Sequence, residues 1–137
     1  MTVAEFVDRI MRMPFVPRGR DYSGGDCWAV PYLLHRDVLG RALPAFDTQY
    51  FTAGETGADR AVIEALAYHE RLRWTAVEIP QMGDVALLRC IGRPCHVGVM
   101  LDARRFLHIE SAVGAAVERL ASPLWQRRCE GVYRLEK

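Results

Sequence analysis

Up to Trp74 the apolar residues of this chain recur at every third or fourth position, and beyond it they alternate with polar ones. Val3, Phe6, Val7, Ile10 and Met11 make the first stripe. Thr2-Val3-Ala4-Glu5 ahead of it has the form of a capping box, so the pattern predicts a helix over about residues 3–13. Pro14, Pro17, Gly19, Gly24 and Gly25 then impose a loop. Trp28, Tyr32, Leu34, Val38 and Leu39 supply the next apolar face, predicting a helix that opens at Cys27 and stops at Gly40. Pro31, one turn in, would clash with the preceding turn and remove a hydrogen bond, which predicts a late start or a kink. After a loop with Pro44 and Gly54, Val62, Ile63, Leu66 and Leu72 predict a third helix over residues 59–74.

The two-residue period then predicts strands at 76–79, 84–90, 95–101, 106–109, 117–120 and 131–135. Pro80 and Gly83, Gly92 and Pro94, residues 102–104, and Gly114 separate them. Connections this short favour antiparallel neighbours, so the expected fold is α+β: N-terminal helices packed on a C-terminal, meandering antiparallel sheet. No internal repeat or low-complexity segment interrupts the pattern.

With 137 residues, half of them apolar, the chain fits a single domain over 1–137 with a real core. Eighteen basic residues face seventeen acidic ones, and the arginines are scattered rather than striped, which argues against nucleic acid as a partner. Glu5, Asp8 and Arg9 interrupt any signal-peptide-like run, and no apolar stretch is long enough to span a bilayer. The expectation is a protein that is cytoplasmic as synthesised, with no membrane insertion. Cys27, Cys90, Cys95 and Cys129 are too irregularly spaced to suggest a disulfide framework and read as free thiols.

The candidate chemistry centres on Gly24-Gly25-Asp26-Cys27-Trp28, which sets a cysteine between a glycine turn and a helical pattern. Unpartnered amides at a helix start favour a thiolate, so the thiol is expected to have a lowered pKa. His96 and His108 fall on consecutive predicted strands joined by the tight connection at residues 102–104, which allows them to be cross-strand neighbours. In that arrangement Cys27 is the nucleophile, His96 the general base and acid, and His108 the group that orients it. The Cys27 amide would face the developing oxyanion, with Tyr22 as a further donor. Asp26 could meet a substrate amine, but an aspartate before a helix reads better as its N-cap. Trp28 reads as core or cleft wall, and His35 and His69 as packing or solvated helix residues. Taken singly, each of Cys27, His96 and His108 could equally be a packed structural residue. A zinc set of Cys90, Cys95, His96 and His108 would put adjacent strand residues on opposite faces, so neither a metal nor any other cofactor is expected.

Asp26-Cys27-Trp28, Gly83-Asp84-Val85, His96-Val97-Gly98-Val99, His108 and the closing run from Trp125 to Val132-Tyr133-Arg134 together resemble the NlpC-type cell-wall cysteine peptidases over about residues 20–135. Gly40 and Leu43-Pro44 point to the bacteriophage tail assembly branch and its prophage relatives. The resemblance implies a papain-like fold, a triad of Cys27, His96 and His108, and hydrolysis of amide bonds in peptidoglycan stem peptides. It also implies phage tail tip proteins as partners and a virion tail as the final location. Pro31 departs from the family's usual apolar residue, and Trp28 stands where free-standing wall enzymes carry serine. Two other functions fit the same fold: a catalytically silent structural tail protein, and a thiol acyltransferase.

Overall fold

The computed structural model describes residues 1–48, 69–90 and 93–135. Most of the helix expected at 59–74 lies outside them, as does much of the loop before it; residues 69–71 are helical. The turn at Gly92 likewise lies outside.

Helix α1 (Val3–Met11) begins as its sequence predicts, with the Thr2 hydroxyl accepting from the Glu5 amide and the Glu5 carboxylate accepting from the Thr2 amide. Its apolar stripe buries Phe6 and Ile10 completely. The following loop contains a two-residue antiparallel ladder, β1 (Arg20–Asp21) on β2 (Gly24–Gly25), which the glycine-rich sequence did not announce as strand. Gly19 makes this crossing possible, because a Cβ there would lie 2.1 Å from the Gly24 carbonyl oxygen.

Helix α2 (Ala29–Asp37) starts two residues later than expected, and this accommodates Pro31 without a kink. Proline at the third helical position lacks an amide that would have no intrahelical partner anyway. The amides of Ala29, Val30 and Tyr32 bond to the carbonyls of Asp26, Cys27 and Trp28, so residues 26–28 form a tight turn that feeds the helix. At its other end the helix closes at Asp37 with Val38 as C-cap, and Gly40, the expected stop, follows two residues on with φ +67°. His35 is buried with its Nε2 on the Gly83 carbonyl at 2.9 Å, so it has a partner the sequence did not reveal. That bond ties α2 to the turn opening the sheet.

Six antiparallel strands follow: β3 (Trp74–Ala76), β4 (Val85–Cys90), β5 (Arg93–Met100), β6 (Arg105–Glu110), β7 (Gly114–Arg119) and β8 (Cys129–Leu135), with α3 (Pro123–Arg128) before the last. Their order is β3-β8-β4-β5-β6-β7. The meander holds from β4 to β7, but β8 inserts between β3 and β4, correcting the expectation of a simple sequential sheet. The first strand also sits earlier than the expected 76–79: it ends at Ala76, with one further bond from the Val77 amide to the Val132 carbonyl, and Ile79 just before Pro80 is exposed.

Alternation along the strands divides the core. Val99, Leu107 and Ile109 pack with Phe6, Ile10, Met13, Val30, Leu33 and Leu34 of the helical layer. Ala86, Leu88, Met100, Phe106 and Val132 pack on the other face, under Trp125 of α3. A third, smaller cluster joins Cys27 to Val85, Leu87 and Val97. None of the helices among the described residues is long and apolar enough to cross a membrane.

Candidate active site

The turn carrying Cys27 is held from behind by a buried ion pair. Asp26 is fully buried, with Oδ1 accepting from the Arg20 guanidinium at 2.7 Å and Oδ2 from the Arg18 amide at 2.9 Å. The N-cap of α2 is Trp28, with no side-chain cap bond, so the expected capping role of Asp26 is corrected: the carboxylate anchors the β1–β2 loop instead. A charge-assisted pair satisfies a buried carboxylate better than one helix amide would.

Cys27 is itself buried, 8% exposed, with its thiol against the backbone of Val97, one residue along β5 from His96. Burial foremost, and then the negative charge of Asp26, pushes this thiol up to about 12, against the opposing pull of the Val97 amide. The expected fall in pKa is thereby corrected. Cys27 precedes the N-cap rather than occupying the first helical turn, so the helix end contributes less than desolvation removes.

The two histidines meet as the strand count allows. His96 Nε2 lies 2.8 Å from His108 Nδ1, with the rings nearly perpendicular. Trp125 stacks beside His96 and meets His108 edge-on at 4.8 Å between centroids, closing this pair off from solvent. His108 Nε2 faces Glu118 Oε2 of β7 at 3.3 Å. Burial holds both imidazoles below their ordinary range. His96 falls to about 3, with the charges of His108 and Arg128 adding to the effect, while Glu118 partly opposes the fall at His108.

Thiol and imidazole thus reach the same stretch of β5, but from different sides: Cys27 contacts the Val97 side, whereas His96 leans on Trp125. No hydrogen bond joins Cys27 to His96 among the described residues. Nε2 of His96 being committed to His108, Nδ1 is the nitrogen left for the thiol.

The remaining candidates are dispersed. Tyr22 donates its hydroxyl to Asp37 at 2.6 Å, at the far end of α2 from Cys27, and packs on Phe6; the expected oxyanion role is corrected by that placement. Burial and this bond raise its phenol above the ordinary value. Trp28 donates Nε1 to the Pro44 carbonyl at 2.7 Å and lies against Phe46, so it pins the loop after α2 beside Cys27. The residue-level reading missed Glu118. Its signal is the β6–β7 hairpin, where Phe106 pairs with Glu118 and His108 with Ala116, leaving His108 and Glu118 diagonal on one face.

A sequence model of the NlpC/P60 family matches residues 12–134. No curated protein matches the chain. Among solved structures, a Staphylococcus aureus protein described as similar to a lipoprotein of the NLP/P60 family superposes with a TM-score of 0.64 at 19% identity, covering 96% of this chain and 39% of that one. The NlpC/p60 domain of the peptidoglycan hydrolase SagA gives 0.59 at 17% identity, over 95% of this chain and 93% of that domain. NlpC1 from Trichomonas vaginalis gives 0.61 at 12% identity, over 96% and 42%. The chain therefore spans about two-fifths of the Staphylococcus and Trichomonas proteins. The shared architecture is the papain-like α+β fold of these domains.

Proposed function

The chain belongs to the NlpC/P60 family, and we propose that it is a cysteine peptidase that hydrolyses amide bonds in peptidoglycan stem peptides. The observation carrying this reading is the His96–His108 pair at 2.8 Å, with His96 on the strand whose backbone meets the Cys27 thiol and His108 on the next. In the reaction, the Cys27 proton passes to His96 Nδ1 as sulfur bonds to the scissile carbonyl carbon, and the Cys27 amide faces the resulting oxyanion. His96 then gives that proton to the departing amine, leaving a thioester on Cys27. Water, deprotonated by His96, attacks the thioester and releases the carboxylate and the free thiol.

The phage tail branch is the proposed setting, supported by the Cys27-Trp28 helix approach and by Gly40 and Leu43-Pro44 after it. Tail tip proteins are the corresponding partners. A silent structural tail component is the competing reading, favoured by the burial of Cys27 and the missing thiol–imidazole bond. Incubation with purified muropeptides, followed by mass spectrometry of the fragments, decides between them. Cleavage at one stem-peptide amide, lost in Cys27→Ala, is the expected result and names the bond; intact muropeptides after prolonged incubation favour the silent protein.

A further inference from the structure

We propose that Glu118 is a positioning residue which, through His108, holds His96 in the tautomer whose Nδ1 carries the lone pair, an inference that rests on the peptidase reading only for its effect on rate. An ionised carboxylate can only accept hydrogen bonds. The Glu118 side chain is about one-third exposed, at 34%, and faces the fully buried His108 ring. With Glu118 Oε2 at 3.3 Å, His108 Nε2 must carry the hydrogen and donate it. A neutral imidazole has one such hydrogen, so His108 Nδ1 is an acceptor. The atom facing that acceptor at 2.8 Å is His96 Nε2, which therefore donates. The single hydrogen of His96 is now placed, and its Nδ1 is left bare.

A carboxylate on β7 thus decides the protonation of a ring two hydrogen bonds away. The neighbouring charges leave this chain of donors intact. Glu110 acts on His108 in the same sense as Glu118, and Arg128, whose guanidinium lies over Trp125 at 4.7 Å, disfavours a second proton on either ring. Both imidazoles stay neutral, the state in which a tautomer choice exists at all.

Long-range nitrogen–proton NMR of the histidine rings in the intact chain reads the tautomers directly. Wild type should show Nε2–H on both His96 and His108. Glu118→Ala should mix the tautomers of both rings and lower kcat by about tenfold with little change in KM, as loss of an outer partner typically does. Glu118→Gln, whose amide oxygen still accepts from Nε2–H, should restore the wild-type tautomers. Unchanged ring signals in a folded Glu118→Ala variant, or Nδ1–H on His96 in wild type, would overturn the assignment. Shifted tautomers in a protein that cleaves no muropeptide would uphold the positioning role while removing the peptidase reading, so the two fail separately.

Discussion

At Cys27 burial and backbone amides act in opposite directions, and burial prevails. Alkylation of Cys27 by a small neutral reagent should accordingly be slow at pH 7 in the substrate-free protein and should accelerate steadily with pH above 9. A plateau already reached near neutrality would show a thiolate that the burial of Cys27 does not favour. Asp26 sharpens the point, because its carboxylate both pairs with Arg20 and opposes a charge on the adjacent sulfur. Asp26→Asn should cost about 3 kcal/mol of stability, the usual scale for breaking a buried ion pair, while speeding alkylation at a given pH. Denaturant titration and labelling rates on the same variant check both directions. The sequence singled out Cys27, His96 and His108 because each sits in a short motif with its own local logic, and the His96–His108 contact follows from the strand count. It did not make Asp26 or Tyr22 legible, since a carboxylate before a helix can cap it or turn away, and only the folded loop brings Arg20 within reach.

Helices α1 and α2 are defined by local chemistry, and their predictions came close for that reason. The capping box places the start of α1, and Gly40 lies just past the end of α2. Pro31, which local rules flag as a conflict, is absorbed by a two-residue delay in the helix start. Pro31→Ala should therefore shift the melting temperature by no more than a few degrees, because the restored amide falls in the first turn, where no helix bond awaits it. A gain larger than this would mean that the proline strains the helix. Gly19 is the opposite case. A methyl group there collides with the backbone of Gly24, and Gly19→Ala should destabilise by about 2 kcal/mol as the β1–β2 crossing opens and Asp26 loses its cradle. Strand order escaped the sequence because insertion of β8 between β3 and β4 is a choice made by sheet packing, not by the period of any one strand.

Across the whole molecule, the buried imidazoles of His35, His96 and His108 link stability to pH. Their folded pKa values lie below the ordinary 6.5, so between that value and about 3 the unfolded chain binds protons that the His96 site refuses. Stability should be complete above pH 6.5 and fall as pH drops through this window, by up to about 1.4 kcal/mol per pH unit for His96, with His35 and His108 acting in the same sense. His96→Gln should flatten that slope in thermal melts, and an unchanged slope would place the acid sensitivity elsewhere. The helices pack on one face of the sheet and α3 on the other, with the Cys27 thiol against Val97 of β5 and the two imidazoles on the Trp125 side. The central claim is that Cys27 is the atom source of a covalent intermediate. It is tested most directly by acid-quenching the protein during incubation with muropeptides and weighing the intact chain. A mass increase equal to the acyl fragment, mapped to the peptide containing Cys27 and absent from Cys27→Ala, is the result expected; muropeptide cleavage that persists in Cys27→Ala, or an adduct on any other residue, would contradict it.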